Sequence, residues 1–114
     1  MTTKRRPPAA PRHLKADGRR FWTAVLSSFA LEPHELEALR LAAESLDRAA
    51  GARAEVERAG LTFTTRHGEV RPHPAVAAER DARASFARLV ALLRLPDLDG
   101  APTRGVGRPG RRLS

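Results

Sequence analysis

Proline sets the frame of this chain. Pro33, Pro72, Pro74 and Pro96 fall where helical periodicity would otherwise run on. Proline lacks an amide hydrogen and its ring clashes with the preceding turn, so each one starts or stops an element. The segments between them repeat apolar residues every three or four positions, which predicts three helices. The first runs from near Leu14, with Phe21, Trp22, Val25, Leu26 and Phe29 as its apolar stripe. Leu31-Glu32-Pro33 reads as a connection. A longer second helix runs from about His34 to Ala59, with Leu36, Leu39, Ala43, Leu46 and Ala50 on one face. Its charged face sets Glu44 and Arg48 at a favourable four-residue spacing. Gly51 is a soft point within it, and Gly60 is placed to cap its end. Pro74 suits the first turn of a third helix, which reaches about Arg94 with Phe86, Leu89, Val90 and Leu93 as its stripe.

Between the second and third helices the period changes to two. Leu61-Thr62-Phe63-Thr64-Thr65 alternates like a half-buried strand, and Glu69-Val70-Arg71 is a return strand stopped by Pro72. Arg66-His67-Gly68 makes the turn, with Gly68 free to take positive φ in a three-residue loop. The expected fold is therefore mainly α: a three-helix body over residues 14–95, with one β-hairpin at 61–72. Two strands alone are marginal in water, so this hairpin has to lie on the helices or pair with something else.

With 114 residues there is room for a single small domain. Its apolar content leans on alanine, with four Phe, one Trp and no Tyr, so a lone core is thin and a partner subunit would help it. No cysteine is present, which excludes disulfides, thiolate metal sites and thiol nucleophiles. The longest strongly apolar run, Leu89 to Leu93, is far short of a membrane span. Pro7, Pro8 and Pro11 break any leader-like helix at the N-terminus. A cytoplasmic protein with no membrane association is expected.

Charge is segregated. Residues 1–20 hold Lys4, Arg5, Arg6, Arg12, Lys15, Arg19 and Arg20 against Asp17 alone. Residues 96–114 hold Arg104, Arg108, Arg111 and Arg112 against Asp97 and Asp99, among three Pro and four Gly. The span 21–95 is balanced, so the whole net charge of +8 lies at the two ends. Residues 1–13 read as an unstructured basic arm and 96–114 as a flexible basic tail. Basic arms on a neutral body suit a polyanion, and these eleven cations are the candidate nucleic-acid contacts.

Catalytic and cofactor chemistry find no pattern. His67 and His73 could approach across the hairpin, but no Cys accompanies them and no metal-ligand spacing exists. They read as a turn residue and a helix-start residue. The carboxylates of the second helix, such as Glu37, Glu44 and Glu57, form a solvated face among Arg40, Arg48, Arg53 and Arg58. Gly105-Val106-Gly107 lacks the Lys and Ser/Thr of a phosphate loop. Trp22 and the phenylalanines fall at core spacing rather than as a base-stacking platform. Neither a cofactor, a metal nor a small-molecule substrate is expected.

The order of features is more specific than any one of them. An apolar helix carrying Phe21-Trp22 and Val25-Leu26 precedes a long helix ending in Ala59-Gly60-Leu61. A short hairpin leads into Pro72-His73-Pro74-Ala75-Val76, and an Arg/Ala-rich helix closes on Leu92-Leu93-Arg94-Leu95-Pro96-Asp97. Over residues 11–97 this series resembles the small subunits of phage terminases of the helix–helix–hairpin–helix type. One departure is that many relatives have a Gly in the leucine turn followed by Pro-x-x-Arg, where this chain has Arg94 and then Leu95-Pro96-Asp97. The resemblance implies a non-catalytic ring in the host cytoplasm that binds double-stranded viral DNA and stimulates the terminase large subunit's ATPase and nuclease. The competing reading is a small helix-turn-helix transcriptional regulator built on the first two helices, although the connection lacks the usual glycine.

Overall fold

The spine of the molecule is one long helix against which the other two helices pack. The computed structural model describes residues 6–96, in the order α1 (Ala16–Ser28), α2 (Pro33–Ala59), β1 (Thr62–Thr64), β2 (Val70–Pro72) and α3 (Pro74–Leu93). The expected fold class stands: three helices with a two-stranded antiparallel hairpin between the second and third. Pro33 is the first residue of α2 rather than part of the connection. The reason is local. Proline is preorganised for the first helical turn, and Glu32 and Glu35 form a reciprocal capping box around it. In that box Glu35 Oε1 accepts from the Glu32 amide at 2.8 Å. At the other end Gly60 caps the helix at φ 94°. Gly51, the expected soft point, lies in unbroken helix.

α2 and α3 run antiparallel. Near one end Arg53 faces Glu79 at 3.6 Å and Glu55 faces His73 at 3.6 Å. Near the other, Leu39, Ala43 and Leu93 share a core with Leu14, Trp22, Val25, Leu26 and Phe29. Val25, Phe29, Leu39 and Leu93 are its most completely buried large side chains. Phe21 reaches across to α3, where its ring meets Phe86 edge-on at 5.0 Å. The core therefore sits at the end formed by α1, the first half of α2 and the last turn of α3. Beyond it the α2–α3 contact is made by alanines, with Ala49, Ala75 and Ala82 buried. Two expected stripe positions drift outward here. Leu46 is half-buried and Ala50 exposed, because α1 covers only the first part of α2 while α3 takes the adjoining face.

The hairpin follows its sequence closely in geometry and departs from it in burial. Thr62 faces Pro72, Phe63 faces Arg71, and Thr64 faces Val70. The Gly68 amide donates to the Thr65 carbonyl at 3.0 Å, and Gly68 takes φ 86°, as the three-residue loop requires. Thr65 Oγ1 accepts from the amides of His67 and Glu69, fixing the loop from inside. However, every residue of both strands is exposed. The half-buried strand expected from the alternation is thus left uncovered by this chain's helices.

Candidate nucleic-acid interface

The candidate cations near the N-terminus gather where the chain enters α1. Residues 6–15 contain no helix or strand, yet 8–14 are laid against the body. The Trp22 indole Nε1 donates to the Pro8 carbonyl at 3.0 Å, and Ala10 packs on the core. The Leu14 amide donates to the Pro11 carbonyl at 3.1 Å, closing a turn that inserts Leu14 into the core at 4 % exposure. The physical cause is shared need. A buried indole N–H requires an acceptor, and a proline-rich strand offers carbonyls that no helix uses.

The α1 N-terminus is held by a residue of α2. Asp47 Oδ2 accepts from the Lys15 amide at 2.6 Å and Oδ1 from the Gly18 amide at 2.7 Å. Lys15 itself provides no side-chain cap, so a carboxylate from another helix satisfies two orphan donors and complements the helix dipole. Gly18 makes this approach possible. A Cβ there would lie 2.5 Å from Asp47 Oδ2 and 2.6 Å from the Ala43 carbonyl oxygen. His13 adds a second tie, with Nε2 at 2.7 Å from Glu44 Oε2.

These contacts sort the candidates. Arg19 spends its guanidinium on the chain itself, donating to the carbonyls of Leu14 at 3.0 Å and of Pro11 and Arg12 at 3.3 Å. It is a strut for the N-terminal segment. Arg20 pairs with Asp17. Arg6, Arg12 and Lys15 are exposed and form no ion pair among the described residues. Lys4, Arg5, Arg104, Arg108, Arg111 and Arg112 lie outside the described residues.

The expected Glu44–Arg48 pair is not formed. Arg40 Nη1 takes Glu44 at 2.7 Å from the other side while its Nη2 holds Glu37 at 2.6 Å. Burial would raise the Glu44 carboxyl, but hydrogen bonds from His13 and Arg40 outweigh it and hold the group below its ordinary value. Arg48 is therefore left exposed with no ion pair among the described residues. It joins His13 and Lys15 on the walls of an open groove of about 890 Å³, together with the acids Asp17, Glu44 and Asp47. Those acids offset the cations that line the groove with them and make it a poor phosphate site. Sequence reading missed Arg48 because Arg40 and Arg48 are equally spaced from Glu44, and only the fold chooses between them.

The histidines of the hairpin region take the turn and helix-start positions expected of them. His73 Nδ1 accepts from the Ala75 amide at 3.0 Å and so caps α3, while its ring meets Phe63 edge-on at 6.5 Å. His67 is an exposed turn residue. Among the described residues, no helix is long and apolar enough to cross a membrane.

A family model described as phage terminase, small subunit, matches residues 19–96. The match runs from the second turn of α1 to the proline after α3, and so takes in all of the buried core cluster but Leu14, with the hairpin and both helix junctions. No curated protein and no solved structure matches the chain. Since the family model spans well over half of the chain, the protein belongs to the phage terminase small-subunit family, and with it to the machinery of phage DNA packaging.

Proposed function

We propose that this small subunit is a non-catalytic, oligomeric adaptor working in the host cytoplasm. It binds double-stranded viral DNA through its basic ends, presents it to the terminase large subunit, and stimulates that subunit's ATPase and nuclease. The observation that carries this reading is the segregation of charge: residues 21–95 sum to zero, and all eight net positive charges lie outside them. The N-terminal share is rooted on the body by the Trp22–Pro8 and Asp47 contacts, with Arg12 exposed and Lys15 and Arg48 lining the groove. An anchored root lets a basic arm reach phosphates without losing its place on the protein. The thin core and uncovered hairpin support assembly into a ring, since head-to-tail contacts close when the rotation permits. Nothing in the packing favours the regulator reading, because α2 is 27 residues long and packs along its length against α3 rather than standing as a short recognition helix.

The test is the salt dependence of DNA binding. Each phosphate neutralised by Lys or Arg contributes about 0.9 to the slope of log affinity against log salt. Changing Lys4, Arg5, Arg6 and Arg12 together to Ala should weaken binding and flatten the slope, by up to roughly 3.6 if all four sit on phosphates. An unchanged slope would remove these four residues from the DNA site and leave it to the C-terminal cations or the folded body. ATPase or nuclease activity in the purified small subunit alone would overturn the adaptor reading itself.

A further inference from the structure

The hairpin has two edges, and they are not alike. In an antiparallel pair, directly opposed residues alternate between those that exchange hydrogen bonds and those that do not. The Thr65 amide donates to the Glu69 carbonyl at 2.8 Å, and the His73 amide to the Leu61 carbonyl at 2.8 Å. With Phe63 opposite Arg71 midway between them, 61/73, 63/71 and 65/69 are the bonded pairs. The backbone groups of Thr62 and Thr64 on β1, and of Val70 and Pro72 on β2, therefore point outward. On β2 the outward edge loses a donor, because Pro72 has no amide hydrogen. On β1 the outward edge keeps both donors and both acceptors, and neither residue is covered. Natural sheets guard exposed edges with proline or charge, and here only one edge is guarded.

Two of the hairpin's three exposed large apolar side chains lie on the side of the open edge, and Val70 lies on the guarded strand. Leu61 is 64 % exposed and Phe63 42 %, and strand alternation puts both on one face. We propose that two copies of this chain join through β1, edge to edge and antiparallel, forming a four-stranded sheet with its two-fold axis at Phe63. Each copy has one open edge, so the pairing is satisfied by two copies, and the Pro72 edges end the sheet on both sides. In the register with greatest overlap, Thr62 of one copy bonds with Thr64 of the other and Phe63 lies opposite Phe63. Leu61 and Phe63 of both copies then form one continuous apolar face. This goes beyond the assembly proposed above, because a head-to-tail ring contains no such two-fold contact.

The chain lacks cysteine, which permits a direct test. Directly opposed residues in a non-bonded antiparallel pair have Cα atoms about 4.5 Å apart, within disulfide range. Phe63→Cys in the full chain should oxidise to a covalent dimer in near-complete yield. Val70→Cys, at a still more exposed position (68 %), should not. A second pair of variants keeps the test independent of Phe63. Thr64 and Val70 oppose each other as a non-bonded pair, so proline at either removes only an outward amide. By light scattering, Thr64→Pro should lower the assembly mass to half or less, and Val70→Pro should leave it unchanged. Equal cross-linking of both cysteine variants, or equal loss of mass in both proline variants, would overturn the edge contact. An assembly that persists in Thr64→Pro, with no cross-link through position 63, would overturn it while leaving the oligomeric adaptor intact. A wild-type monomer at micromolar concentration would overturn both.

Discussion

Gly18 offers the sharpest test of how the helices are held, because general rules and this fold give opposite signs. In an ordinary helix, Gly→Ala stabilises by about 0.5–1 kcal/mol through reduced backbone freedom. Here the new Cβ would stand 2.5 Å from Asp47 Oδ2 and 2.6 Å from the Ala43 carbonyl oxygen, well inside van der Waals contact. The backbone oxygen cannot turn aside, so α1 has to move off α2, at a cost of about 1–3 kcal/mol for overpacking of this kind. That movement also stretches the Asp47 bonds to the amides of Lys15 and Gly18, and hydrogen bonds to a charged group contribute about 1.5–3 kcal/mol each. Even if only one bond is lost, the net effect is a destabilisation of about 2–5 kcal/mol. At about 4–8 °C per kcal/mol for a domain of this size, the melting temperature should fall by at least about 8 °C. Thermal unfolding followed by circular dichroism measures this directly. Asp47→Ala should destabilise on its own, and the double variant should cost less than the two singles combined, because the shared bonds are lost only once. A Gly18→Ala protein that melts several degrees higher than wild type would refute the close approach and the clamp with it.

Arg94 ends α3 in the left-handed region at φ 51° and ψ 45°, a conformation that favours glycine. Arg94→Gly should raise stability by about 0.5–1 kcal/mol, a rise of a few degrees in melting temperature; a loss would show that the arginine side chain contributes more than its backbone strain costs. Glu44 has a depressed folded pKa, so its contribution is present above the unfolded value and lost as pH falls through the folded one. The sole tryptophan, Trp22, reports on the adjoining N-terminal segment. Its emission should shift to the red as pH falls below the ordinary carboxylate range, and Glu44→Gln should lack that step; identical acid profiles would refute the tie through His13.

What the sequence disclosed, and what it hid, divides by the range of the interactions. The helices were legible because their stripes have the right period and because Pro33, Pro74 and Pro96 mark where they start or stop. The hairpin was legible from its two-residue alternation and from Gly68, whose φ the loop demands. The Asp47 clamp was not, since Asp47 lies 32 residues from Lys15 and nothing local distinguishes it from its acidic neighbours. Nor was the seat of residues 8–14, because a proline-rich basic run looks unstructured until a buried indole supplies a donor for it. Among the candidate contacts, composition showed that cations gather at the ends. It could not show that Arg19 is consumed by three carbonyls while Arg48, inside the balanced span, is left exposed.

The uneven burial along α2 bears on how folding and assembly are linked. At the core end, large side chains such as Phe29, Leu39 and Leu93 are almost fully buried, and each contributes about 1.5–3 kcal/mol by leaving water. Toward the hairpin the α2–α3 contact relies on Ala49, Ala75 and Ala82, which remove far less apolar area per residue. Close approach of the helices is gained there at the expense of burial. The hairpin beyond it adds Leu61, Phe63 and Val70 to solvent rather than to a core. The last turns of α2, the first turns of α3 and the strands between them are thus the part of the body least secured by its own interior. A partner that binds only their folded form stabilises that part by mass action. The end most open to a second copy is also the end with most to gain from one. Assembly through the hairpin would then order the far end of the body and leave the seat of residues 8–14, at the core end, away from the contact.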